Sequence, residues 1–276
     1  MIAGMRIVKM SGAGNDFVVI GAREAEALGD GLASWARRVC RRGLSVGADG
    51  VLVVTPSSAG RIRVVFVNPD GVPAFCGNGC RCAARFAVLE SLVHETLVLE
   101  TSVGDVPARI LGDRVRLVLP PPRAGRTLEL DVSGTIVGGR EVLSGVPHFV
   151  VPVVDVACAP LEAWGPALRL HPQFGTEGTN VDVMGRRHDG IAVRTWERGV
   201  EGETLACGSG AVAAAHAARL LGWTGDSVRV SPRSGIPLLV ELPGPKDAPE
   251  AAILEGDARV VFEGTLAHEA TLGFEG

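Results

Sequence analysis

Tyrosine is missing from the 276-residue sequence, which excludes phenol chemistry, and the other aromatics are few, with eight phenylalanines and four tryptophans. No run of about 18 uncharged apolar residues occurs, so no membrane span is expected. No long basic run occurs either, and the net charge is −4, so a nucleic-acid partner is not expected. Six cysteines are too sparse for a secreted disulfide scaffold and predict free thiols in a reducing cytoplasm. The first ten residues carry Arg6 and Lys9 with no apolar block or cleavage site after them, so no signal peptide is expected. What is present is 46% hydrophobic and 21% charged residues. That is the balance of a soluble globular chain, long enough for two domains.

The chain is organised around Cys76-Gly77-Asn78-Gly79 and its near copy Cys207-Gly208-Ser209-Gly210. Both run into alanine-rich segments of helical character, predicted over about 78–92 and 211–221. A small, glycine-rich start leaves backbone N–H groups unpaired at a helix N-terminus, which suits an anion. A cysteine just ahead of such a terminus is expected to have its thiolate favoured.

The two cysteines are 131 positions apart, and Ser11-Gly12 with Phe17-Val18-Val19 echoes Ser144-Gly145 with Phe149-Val150-Val151, the two phenylalanines being 132 apart. Two landmarks with nearly one offset argue for a duplicated domain. Around them the pattern predicts strands such as Phe17–Ile20, Val51–Val54, Ile62–Val67, Phe149–Val154 and Ile191–Trp196. It also predicts a helix over Glu24–Arg42 with Gly43 as its C-cap, and turns over 11–16 and 144–148. Pro120-Pro121-Pro122 is the expected domain boundary. Each half is then several short strands around one apolar helix, a sheet or a barrel wrapped on it.

Two thiols beside two anion cradles fit proton abstraction next to a carboxylate. An α-hydrogen is a very weak acid, so its removal needs a base in contact and stabilisation of the developing charge. One thiolate taking the proton from one face, with the other thiol returning one to the opposite face, inverts the centre without a cofactor. Other roles fit less well. Cys76, Cys80 and Cys82 lack common zinc spacing, so no metal is expected. Cys80 and Cys82 are better placed as helix residues, and Cys40 and Cys158 as ordinary thiols. Ser11-Gly12-Ala13-Gly14 is not followed by the Gly-Lys-Ser/Thr of a phosphate loop. A thiol–disulfide exchanger using Cys76 and Cys207 is the alternative from a different class.

The chain resembles the diaminopimelate epimerases, pyridoxal-independent enzymes of bacterial lysine and cell-wall synthesis. The resemblance covers nearly the whole length. It rests on Ser11 to Phe17, Gly47-Ala48-Asp49-Gly50, Asn68-Pro69-Asp70-Gly71, Pro147-His148, Asn180, Glu197-Arg198-Gly199, Gly202-Glu203-Thr204 and the two cysteine motifs. It implies an α+β fold of two pseudo-symmetric domains, each a β-barrel wrapped around a central apolar helix. The expected bounds are 1–122 and 123–262, with 263–276 returning to the first domain.

The resemblance implies that Cys76 and Cys207 are the base–acid pair, with His148 and Glu197 against the thiols. Asn15, Gly77, Asn78, Gly208 and Ser209 would surround the amine and α-carboxylate. Asn68, Asn180 and Arg198 would read the distal end, where a guanidinium fork suits a carboxylate. A small-molecule amino-acid substrate is implied, and a homodimer is the assembly the resemblance allows.

Two features depart from the pattern. Val146 stands where the family usually has a substrate-contacting asparagine, and Glu201 lengthens the loop over 197–204. Val146 keeps open a racemase of the same fold for a different amino acid, because a site that hydrogen-bonds a polar group discriminates better than one that merely fits it.

Overall fold

The computed structural model describes residues 4–272; residues 1–3 of the N-terminal stretch and 273–276 of the returning segment lie outside the described residues. The alternating stretch from Arg6 forms β1 (Arg6–Gly12), which pairs antiparallel with β2 (Asn15–Ile20). The turn between them is therefore shorter than the expected 11–16. It is made by Ala13 and Gly14, both at positive φ (56° and 98°), as a two-residue hairpin requires.

The expected helix over 24–42 is two helices, α1 (Ala22–Leu28) and α2 (Leu32–Val39), parted by a short 3-10 turn at Gly29-Asp30-Gly31. Each helix-interior glycine costs about 1 kcal/mol relative to alanine, and two within three residues end the helix. Gly43, at φ +79°, falls in the turn after α2, and Cys40 is the cap residue.

There follow β3 (Gly50–Ser58), β4 (Arg61–Val67), β5 (Pro73–Ala74), α3 (Gly77–Leu89), β6 (Thr96–Thr101), β7 (Gly104–Leu111) and β8 (Arg114–Leu119). β2 pairs parallel with β3, β3 antiparallel with β4, β4 parallel with β6, and β6, β7 and β8 run on antiparallel. The apolar runs of β2 and β3 are continuous because both their faces are covered. Val18, Ile20, Val51 and Val53 pack with Trp35, Ala36 and Val39 of α2. Phe17 and Leu52, one position out of phase, lie against Gly79 of α3.

Chain contacts divide the described residues into one unit, drawn from 1–117 and 257–276, and a second, 118–256. The second unit holds β9 (Arg123–Val132), β10 (Thr135–Ser144), β11 (Val146–Pro152), α4 (Leu161–Arg169), β12 (Asn180–Arg187), β13 (Gly190–Glu197), β14 (Gly202–Thr204), α5 (Gly208–Leu220), β15 (Ser227–Ser231), β16 (Leu238–Glu241) and β17 (Ala252–Asp257). Its pairing repeats the first unit: β10 antiparallel to β11, β11 parallel to β12, β12 antiparallel to β13, β13 parallel to β15, β15 antiparallel to β16. Here too α4 covers one face, with Phe149, Val151, Val181 and Val183 packed on Leu161 and Leu168.

The turn expected over 144–148 shrinks to Gly145, at φ +72°, and Pro147 and His148 are strand residues. Proline is tolerated there because it stands at the strand's start. Finally β18 (Arg259–Thr265) returns to pair antiparallel with β1. The expected start of the returning segment, 263, thus lies inside a strand that begins at Arg259. Among the described residues no helix is long and apolar enough to cross a membrane.

Candidate active site

Cys76 and Cys207 are the N-cap residues of α3 and α5. Each has extended backbone and turns its sulfur back over the helix end. Cys76 Sγ accepts from Gly79 N–H and Cys207 Sγ from Gly210 N–H, each at 3.4 Å. A sulfur thus does what serine or aspartate usually does at this position. The first-turn N–H groups of Gly77 and Asn78, and of Gly208 and Ser209, have no intrahelical acceptor. A Cβ on Gly77 would meet nothing within 4 Å, so that approach is open.

In the first unit, the β1–β2 hairpin aims Asn15 at Cys76. The Asn15 Nδ2 donates to Asp49 Oδ2 at 2.5 Å, which turns Oδ1 toward the helix end. That oxygen accepts from the Cys76 thiol and from Asn78 Nδ2, both at 3.4 Å. Asp49 also bonds Arg42 (2.8 Å), and Arg42 and buried Lys9 pair with Asp16. Asn68 closes the turn to Val72 through its main chain, accepting from Gly71 N–H at 2.9 Å and donating to Val72 O at 3.0 Å.

In the second unit, strand alternation puts His148 on β11 and Asn180 and Asp182 on β12 on the face away from α4. His148 and Asp182 are fully buried, and His148 Nδ1–H donates to Asp182 Oδ2 at 2.7 Å. Asp182 Oδ1 accepts from Thr195 Oγ1 at 2.7 Å. A carboxylate only accepts, so Nδ1 carries the proton of this pair. Nε2 faces Ser209 Oγ at 3.0 Å, and Ser209 Oγ lies 3.4 Å from Cys207 Sγ. A continuous path Asp182–His148–Ser209–Cys207 results.

Gly210 is required beneath it. A Cβ there would lie 2.5 Å from Asp182 Oδ1 and 3.0 Å from Thr195 Oγ1. Asn180 ties the path to the following loop: its Oδ1 accepts from Arg198 N–H at 2.7 Å, and its Nδ2 reaches Pro147 O at 3.2 Å. Arg198 itself is partly exposed, with its guanidinium 3.7 Å from the Glu177 carboxylate.

The expectation of a favoured thiolate at both helix ends fails at Cys207. Burial pushes its thiol well above the ordinary range, and the carboxylates of Glu197 and Asp182 push the same way. The Ser209 hydroxyl and the Gly210 N–H only partly offset them. Glu197 is raised too, by burial first, although Thr204, His148 and the Cys207 thiol favour its charged form. Cys80 and Cys82 are buried α3 residues as expected, Cys40 is buried and Cys158 exposed.

Asp182 and Thr195 were not singled out from sequence, and Asp49 and Gly210 stood there only inside motifs, with no role of their own. Asp182 had a signal: it is the one charge within the apolar run Val181–Met184.

The family model described as diaminopimelate epimerase matches residues 7–119 and 141–260. A diaminopimelate epimerase of Aquifex aeolicus is 40% identical over 278 residues, covering 96% of this chain and 99% of its own. One of Hydrogenobaculum sp. is 38% identical over 280 residues, with coverages of 96% and 99%. Among solved structures, the Bacillus anthracis phenazine biosynthesis protein of the PhzF family superposes with a TM-score of 0.74 at 13% identity, over 96% of this chain and 99% of that one. A hydroxyproline epimerase from Agrobacterium vitis gives 0.68 at 16% identity, over 98% and 95%. At such identities these two speak for the mixed α+β fold alone.

Proposed function

The chain belongs to the diaminopimelate epimerase family, and we propose on that premise that it interconverts LL- and meso-diaminopimelate by two-thiol proton transfer at one α-carbon. Cys76 and Cys207 are the base–acid pair. The N–H groups at Gly77, Asn78, Gly208 and Ser209, with the positive ends of α3 and α5, take the charge that builds on the α-carboxylate. Asn15 meets the amine end. Arg198 and Asn68 read the distal carboxylate end, and Asn180 reads it too while holding the Arg198 loop. His148 and Glu197 hold the proton economy of Cys207, His148 through Ser209. No pyridoxal or metal is needed for this chemistry, and a reducing cytoplasm keeps both thiols available.

The observation that carries this reading is the N-cap cysteine on corresponding helices of two units with one strand plan. The same plan supports closure of each sheet into a barrel on its helix. α3 touches β1, β2, β3, β4, β6 and β7, and α5 touches β10, β11, β12, β13, β15 and β16. The test is inversion of LL-diaminopimelate by the purified protein. Cys76→Ala and Cys207→Ala are each expected to lower kcat by about 10²–10⁴-fold; full turnover in either variant ends the proposal.

Val146 supports a second reading, a racemase for a different amino acid. It is a half-buried residue at the start of β11 and its side chain can make no hydrogen bond. A panel of amino acids separates the two readings by which substrate has the highest kcat/KM.

A further inference from the structure

Asp49 is the last residue before β3, and its main-chain N–H donates to Asp16 O at 2.8 Å. The chain beside it is pinned, because a Cβ on Gly50 would lie 2.8 Å from Val67 O. Asp49 Oδ2 accepts twice from the β1–β2 hairpin, from Asn15 Nδ2 at 2.5 Å and from Asp16 N–H at 3.1 Å. Its Oδ1 accepts from Arg42 at 2.8 Å, and Arg42 also pairs with Asp16.

An asparagine amide has a donor end and an acceptor end of nearly the same shape. Which end faces a ligand is decided by what holds the other. A carboxylate offers acceptors only, so Asp49 can hold Asn15 by its NH2 group alone. The carbonyl end is then turned to the N-terminus of α3, where Oδ1 lies 3.4 Å from Cys76 Sγ and 3.4 Å from Asn78 Nδ2. An acceptor fixed at that point fits a ligand group that donates, and an ammonium has three N–H to give. The same amide turned over would present its NH2 to that ammonium and repel it.

The second unit shows what the carboxylate is for. Phe17 opposes Gly50 as Phe149 opposes Val181. The residues just before Gly50 and Val181 therefore correspond, Asp49 with Asn180, and two before the phenylalanines Asn15 corresponds with Pro147. Asn180 Nδ2 donates to Pro147 O at 3.2 Å. An amide stands where the hairpin offers a carbonyl, and a carboxylate stands where it offers N–H donors.

Resting on the epimerase reading above, in which Asn15 meets the amine end, we propose that Asp49 is a positioning residue that sets the Asn15 amide with its oxygen toward the α-ammonium of the reacting amino acid. Arg42 holds the carboxylate from its other side. Asp49 acts through Asn15, and it makes this corner of the site select for a free, protonated α-amine.

Two measurements test this. The first needs no substrate. In proton–nitrogen correlation spectra of the purified protein, the Asn15 Nδ2 proton pair is assigned by its loss in Asn15→Ala. One proton of the pair is expected well downfield of the ordinary side-chain amides, as a charge-assisted hydrogen bond requires. Asp49→Ala is expected to bring it back among them. The second is a double-mutant cycle on kcat/KM with LL-diaminopimelate. Asp49→Ala is expected to lower kcat/KM by about 10- to 100-fold, the loss of one charge-assisted hydrogen bond. In an Asn15→Ala background the same substitution is expected to change it by less than about twofold, because nothing is left for Asp49 to orient. A merely structural role would cost the same in both backgrounds.

An Asn15 proton pair at the ordinary amide position in the wild type overturns the proposal whether or not Asp49→Ala folds. So does a folded Asp49→Ala that leaves the pair unmoved, or a cycle in which the two losses multiply. Losses that fail to multiply, measured on an amino acid other than diaminopimelate that proves the better substrate, refute the substrate reading and leave this one standing; full diaminopimelate turnover with multiplying losses does the opposite.

Discussion

The residues around Cys207 form a set in which each group is held by the next. Asp182 orients His148, His148 faces Ser209, and Ser209 faces the sulfur. Gly210→Ala tests how tightly this set is built, because its methyl must displace the Asp182 carboxylate or the Thr195 hydroxyl. It is expected to destabilise the protein by about 1–3 kcal/mol in urea unfolding and to abolish measurable inversion.

Glu197 carries a pH signature. Its folded-state carboxyl lies above the ordinary value of 4.5. Between those two values the folded protein holds a proton that the unfolded chain has released. Stability is therefore lost as pH rises through that window. Glu197→Gln removes the loss, so its unfolding midpoint is expected to exceed wild type at pH 8 and to meet it near pH 4; the opposite order would show the carboxyl is not raised. At this scale the sequence disclosed the residues inside repeated or familiar motifs. It hid those defined only by a neighbour across a strand, such as Thr195, and it hid why Gly210 must leave its space empty.

Elements were legible where one strong pattern governed them. α3 and α5 announced themselves by a glycine-rich start and an alanine-rich body, and the apolar strands by runs of valine. α1 and α2 were merged because helical periodicity continues across Gly29-Asp30-Gly31, and only the cost of two glycines breaks it. β14 and β17 went unseen, the first for its three-residue length, the second because Ala252–Asp257 lacks alternation.

The β1–β2 hairpin offers an element-scale test. Burial alone would raise the Asp16 carboxyl, but Arg42 and Lys9 hold it below the usual carboxylate range. Its contribution to stability is present above the ordinary value of 3.8 and is lost as pH falls through the lower folded value. Asp16→Asn leaves Lys9, with a side chain only 8% exposed, without its carboxylate. A loss of about 1–3 kcal/mol is expected at pH 7, shrinking below pH 3.8. A pH-independent difference in unfolding free energy would contradict that account.

For the molecule as a whole, the offset of 131 to 132 positions predicted the duplication, and the strand pairing repeats it. The unit boundary falls between Leu117 and Val118, just ahead of Pro120, and the first unit is completed by a distant piece of chain, because β18 pairs with β1. Long-range strand return leaves no local signal, so the sequence does not show where β18 begins. The fragment 118–256 is expected to show cooperative unfolding by circular dichroism. The fragment 1–117 is expected to need 257–276 joined to it before it does so.

The central claim is that two separate thiols handle two separate protons at one carbon. Epimerisation of LL-diaminopimelate in deuterium oxide, stopped before the product returns, measures this directly by the mass of the two isomers. The account predicts one solvent deuteron at the α-carbon of every product molecule and none in the remaining substrate. Product that keeps the original proton would contradict it.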